Sequence, residues 1–188
     1  MSHYTHWLHN TSDPVKGFDR LKVDPDQTSF WEGREFRTFK ELSIASGASY
    51  TIKAVVPLNI ILNALSVTLD AGWLRLATIA GGTPAGTFDE TLPIFAANNM
   101  TAGKDRRADF PGVFVNPVVL TAGGTHTGGT ELDVLRVKCA GNSQQASSVG
   151  VDSFDQRGIA PATYHFRLTN LGNDTITGVF RARFEVRP

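Results

Sequence analysis

The sequence predicts an all-β domain, a two-sheet antiparallel sandwich of jelly-roll-like organisation with an irregular N-terminal arm. Three observations carry that reading. Among 188 residues, hydrophobic types make up 41% and charged types 19%, with Gly 18 and Pro 9, a composition that favours short strands joined by turns. Apolar and polar residues alternate with a period of two in several segments, as half-buried strands require. No segment shows a convincing apolar stripe at helical spacing.

Residues 1–33 are polar and irregular, broken by Pro14, Gly17, Pro25 and Gly33. They nevertheless hold several large apolar side chains, and a segment that exposed them all would aggregate. This arm is therefore expected to dock on another surface, with Tyr4, Trp7, Phe18, Phe30 and Trp31 as the partner-binding residues. The sandwich is expected over residues 34–188. Tyr50, Ile52, Ala54 and Val56 alternate with Ser49, Thr51, Lys53 and Val55, which predicts a strand. Leu65, Val67 and Leu69 alternate with Ser66, Thr68 and Asp70; Asp70-Ala71-Gly72 then supplies a turn before the apolar run from Trp73 to Ile79, and the two are expected to form a β-hairpin. Thr91 to Ala96, Val113 to Leu120 and Leu132 to Cys139 each read as a strand, with Pro117 marking an edge or a bulge. A polar loop is expected from Ala140 to Pro161, long enough to be a contact element. Two antiparallel strands close the chain, with Tyr164, Phe166, Leu168, Phe180, Ala182, Phe184 and Val186 expected to be buried together around the turn Leu171-Gly172-Asn173-Asp174.

Composition also narrows function. Lys plus Arg equal Asp plus Glu, 18 against 18, so no basic field draws in nucleic acid and none is expected as a partner. Cys139 has no intramolecular disulfide partner, and Met1 to Asn10 lack the basic start and apolar run of a signal peptide, so folding in a reducing cytoplasm is expected. The longest apolar stretch, Ala54 to Val67, is interrupted by Pro57, Asn59, Asn63 and Ser66 and falls short of the roughly 20 residues that span a bilayer. No membrane segment is expected.

Candidate chemistry is sparse. His3, His6 and His9 are spaced like ligands on one side of a short helix, but no acidic or cysteine partner completes a metal set. Asp24-Pro25-Asp26 lacks the alternating oxygens and the glycine of a calcium loop and reads as a turn. Asp152 and Asp155 have the chemistry of an acid–base pair and read equally as a solvated loop. His126 lies between two Gly-Gly pairs and reads as a flexible hairpin tip, and no Gly-x-Ser-x-Gly elbow supplies a nucleophile. Cys139 ends an apolar strand and reads as core. Trp7, Phe30, Trp31, Phe36 and Phe39 are able to stack on sugar rings, while interface packing uses the same residue types. Arg181, Arg183 and Arg187, with Glu185, read as one polar face of the last strand. No catalytic, cofactor-binding or metal-binding residue is assigned, and the chain is expected not to be an enzyme.

Phe30-Trp31-Glu32-Gly33-Arg34-Glu35-Phe36-Arg37-Thr38-Phe39, Ala80-Gly81-Gly82-Thr83-Pro84-Ala85-Gly86-Thr87-Phe88, Gly123-Gly124-Thr125-His126-Thr127-Gly128-Gly129-Thr130-Glu131 and Arg157-Gly158-Ile159-Ala160-Pro161-Ala162-Thr163-Tyr164 together resemble a group of small structural proteins from tailed bacteriophages. The resemblance implies a virion component assembled in the host cytoplasm, foremost a capsid decoration (cement) protein that contacts major capsid or tail subunits. It also implies a homo-oligomer, and a trimer is expected because surface proteins follow the symmetry of the lattice they cover. The alternative is a tail or fibre-associated protein holding host-surface carbohydrate between the loops Gly81 to Phe88, Gly123 to Thr130 and Ala140 to Gly158.

Overall fold

The computed structural model describes residues 28–31, 33–97, 118–139 and 157–187. One helical turn, α1 (Thr28–Trp31), precedes the strands. These are β1 (Glu35–Ile44), β2 (Ser49–Val56), β3 (Ile60–Leu69), β4 (Gly72–Ala80), β5 (Thr83–Ala85), β6 (Glu90–Thr91), β7 (Ile94–Ala96), β8 (Val119–Ala122), β9 (Thr125–Thr127), β10 (Thr130–Cys139), β11 (Arg157–Ile159), β12 (Ala162–Asn170) and β13 (Ile176–Val186). One sheet has the order β11-β3-β13-β1-β7 and the other β10-β4-β12-β2-β8-β6, while β5 and β9 form a two-stranded flap.

A single rule runs through the pairings. The first four long strands pair antiparallel and in reverse order with the last four: β1 with β13, β2 with β12, β3 with β11 and β4 with β10. That folded ribbon then curls, so that β13 also pairs with β3 and β12 with β4. The two sheets close face to face on one core, which includes Ile52, Leu65, Val67, Leu74, Leu76, Val137, Leu168, Ile176 and Phe180. Phe166 and Phe180 meet across it with ring centroids 5.7 Å apart.

The two-sheet antiparallel sandwich is thus the fold, and the predicted strand from Ser49 to Val56 coincides with β2. The hairpin expected around Asp70-Ala71-Gly72 is not one: β3 and β4 lie in different sheets. The same holds for β12 and β13. Tight turns serve arches between sheets as well as hairpins within one, because either path keeps the alternating apolar residues on the shared core. The closing apolar set is buried apart from Tyr164, which is partly exposed and packed against the core. The expected strand from Thr91 to Ala96 divides at Leu92-Pro93 into β6 and β7, one in each sheet. Of the segment from Val113 to Leu120, only Val118 to Leu120 falls within the described residues, where β8 begins at Val119.

At the turn end, buried Asn170 ties two arches together. Its amide donates to the carbonyls of Ile44 (2.9 Å) and Asp174 (2.7 Å), and its Oδ1 accepts from the Gly172 amide (2.8 Å). Near the beginning of β1, Arg34 donates to Glu185 at 2.6 Å with both side chains buried. Glu35 accepts from buried Ser29 at 2.7 Å and from Arg183 Nε at 3.0 Å. Arg34 and Glu35 are therefore fastened to β13, and Ser29 is tied to Glu35. A buried carboxylate survives only with such partners, since an unpaired buried charge costs several kcal/mol.

Replacing Phe180, fully buried between the sheets, by Ala should lower the unfolding free energy by about 3–5 kcal/mol. Phe39→Ala on the outer surface should cost less than about 1.5 kcal/mol. Urea denaturation of both variants checks this, and equal losses would contradict the facing of β1 and β13.

Candidate functional site

The sequence candidates disperse. Tyr4, Trp7 and Phe18, together with His3, His6, His9, Asp24, Asp26, Asp152 and Asp155, lie outside the described residues. Phe30 sits partly buried on α1, and Trp31 ends that turn. Phe36 belongs to the core, stacked on Phe184 at 5.8 Å between ring centroids. Cys139 is buried, as expected. The face assigned to Arg181, Arg183, Arg187 and Glu185 splits, because Glu185 is buried against Arg34 whereas Arg181 and Arg183 are exposed.

What the strands assemble instead is the outer face of the five-stranded sheet. Phe39 on β1 and Phe95 on β7 stand 47% and 42% exposed and stack at 5.8 Å with 9° between ring planes. The register sets Phe95 opposite Arg37, Arg37 opposite Arg183, and Arg183 opposite Ala64. Two residues along the strands, Phe39 faces Arg181 and Arg181 faces Ser66. Each row falls from a ring through guanidinium groups to a small side chain. The result is a depression of about 700 Å³, lined also by Thr38, Glu41 and Val179.

The opposite surface, on the six-stranded sheet, carries a different cluster. His126 is 4% exposed on β9 and His165 is 3% exposed on β12, with ring centroids 3.9 Å apart and planes 21° from parallel. His126 is thus no flexible hairpin tip. The β5–β9 flap lays it over the sheet, where its Nε2–H donates to the Gly81 carbonyl at 2.8 Å. Gly82 makes the approach possible, since a Cβ there would come within 2.6 Å of the imidazole and its φ is +84°. Phe88 packs against His165, and Lys53 lies over the Phe88 ring. Neither nitrogen of His165, nor Nδ1 of His126, has a hydrogen-bond partner among the described residues. Desolvation, and next the neighbouring His126 and Lys53, push the His165 imidazole down to about 4.

At the margin of the sheets, Glu90 accepts from Tyr50 at 2.6 Å and pairs with Lys40. The Lys40 and Tyr50 hydrogen bonds hold its carboxyl below the usual range, and burial with the Glu90 contact holds the Tyr50 phenol far above its own. Elsewhere, Glu131 is shared by Arg75 and Arg167, and Asp133 pairs with Arg157. These carboxylates are occupied by cations rather than facing one another across a cleft, and among the described residues no group of three or more His, Cys, Asp or Glu is placed to hold a metal ion.

Comparison of the chain with protein-family models, with curated proteins and with solved structures finds no match. The resemblance to tailed-phage structural proteins rests on the sequence motifs alone.

The histidine pair has a pH consequence. The unfolded chain protonates its histidines near pH 6.5, whereas folded His165 stays neutral down to about 4. Its contribution to stability is complete above pH 6.5, falls as the pH drops toward 4, and changes little below that. Wild-type protein should lose about 1–3 kcal/mol more than His165→Phe between pH 7 and pH 4. Chemical denaturation at the two pH values reads the difference, and identical losses would contradict it.

Proposed function

We propose that this chain is a non-enzymatic structural protein of a tailed-phage particle, foremost a decoration (cement) protein bound to capsid subunits. The observation that carries the reading is the reversed pairing of β1–β4 with β13–β10, curled so that β12 and β13 fill the sheet centres. We read that order as jelly-roll-like, an architecture used by viral capsid and lectin domains. The use of carboxylates supports it: Glu35, Glu131, Asp133 and Glu185 are engaged by arginines that fasten strands together. The resemblance in the sequence supplies the setting, and a homotrimer following the local symmetry of the lattice is the favoured assembly.

Attachment is assigned to the segment before α1, where Tyr4, Trp7 and Phe18 are the apolar anchors. Ordering each residue costs about 1–2 kcal/mol, so several large side chains must be buried to offset it. Phe30 and Trp31 continue the set, but α1 contains Ser29, which with Arg34 is fastened to the domain. Deleting residues 1–27 should therefore preserve a cooperative thermal transition and abolish incorporation, measured by mass spectrometry of density-gradient-purified particles. A variant that no longer folds, or one incorporated at full occupancy, would overturn this assignment. Recovery of the full-length chain with isolated tails instead of filled heads would favour the tail-associated reading and its glycan ligand.

A further inference from the structure

We propose that the outer face of the five-stranded sheet, centred on Phe39, Phe95, Arg37 and Arg181, binds an extended acidic segment of another polypeptide. The inference deepens the structural-protein reading and rests on it for the kind of partner.

The charges state the ligand's sign. Arg183 is held by Glu35, yet among the described residues neither Arg37 nor Arg181 has an ion-pair or hydrogen-bond partner. The face offers three guanidiniums against two carboxylates, Glu35 beneath it and Glu41 at its border, and Glu35 is already engaged by Ser29 and Arg183. A second copy applied face to face about a twofold axis would set these arginines against each other. The complementary surface therefore belongs to an anionic partner.

Spacing states the ligand's form. Arg37 and Arg183 share one row and Arg181 stands in the next, two residues along β13. An extended chain presents same-side groups every two residues, about 6.6–6.8 Å apart, so acidic residues at positions i and i+2 match the two rows. Guanidinium forks suit carboxylates bidentately. The stacked rings, with nearly half their surface open to water, form an apolar wall for a neighbouring side chain. Arginine and aromatic side chains side by side are the composition of energetic centres in protein–protein interfaces. Nucleic acid fits less well, because Glu41 borders the depression and the chain carries no net positive charge.

Selection from a displayed library of random seven-residue peptides on immobilised full-length protein tests this without reference to any particle. The expected result is enrichment of peptides with two acidic residues at i and i+2 plus one apolar residue. That enrichment should vanish on R37E/R181E, and the recovered peptide should bind F39A/F95A at least about tenfold more weakly. The thermal transitions of both variants establish that they are folded, and either variant alone is sufficient for the comparison. No enrichment, enrichment indifferent to the substitutions, or displacement of the peptide by a dT12 oligonucleotide or by oligogalacturonate at lower concentration than by free peptide would each overturn the proposal. Because the selection reads the face alone, its failure is distinct from absence of the chain from purified particles.

Discussion

Both sheets obtain their middle strand from the last stretch of the chain. β13 lies between β3 and β1, and β12 between β4 and β2, so the edges of strands made early find their backbone partners only in residues 162–186. An unpaired backbone amide in a closed core is costly, which leaves the first four strands without a stable sandwich of their own. Phe166, Leu168, Phe180, Ala182, Phe184 and Val186 complete the core by the same step. Pairings such as Glu35 with Glu185 join residues 150 positions apart in a chain of 188, and contacts so distant make folding slow relative to helical domains of equal stability.

The polar interior follows from that closure. Arg34, Glu35 and Glu185 lie where the first strand meets the last, with exposed Arg183 holding Glu35 from the outer side, and Asn170 sits where two arches meet. Each buried polar atom in these groups fixes a junction that hydrophobic packing alone would leave free to slide. With registers fixed, the outer surfaces become specific as well. The row Phe95–Arg37–Arg183–Ala64 exists only because β7, β1, β13 and β3 hold one alignment, and a shift of a single residue would turn these side chains into the core.

Much of the fold is legible in the sequence. The alternation at residues 49–56, 164–168 and 180–186 marks strands that face one core, and Asp70-Ala71-Gly72 marks a true turn. Whether a turn closes a hairpin or an arch is not encoded locally. Both directions bury the same alternating set, and the choice depends on partners between 50 and 150 residues away. The outer-face cluster is less legible. Phe95 lay inside an expected strand and Arg37 inside a quoted motif, but their adjacency is a product of register across three strands. His126 read as a mobile tip because glycines surround it, whereas Gly82 instead gives its ring the room to stack on His165.

Hydrogen–deuterium exchange resolved by peptide tests the dependence of the sandwich on β12 and β13 most directly. Amides of residues 164–168 and 178–184 should be the slowest in the molecule, exchanging only with the free energy of global unfolding from denaturant titration. Amides of the edge strands β10 and β11 should open at lower cost. Exchange of β12 and β13 ahead of those edges, while the rest of the sandwich stays protected, would contradict the central place given to the C-terminal strands.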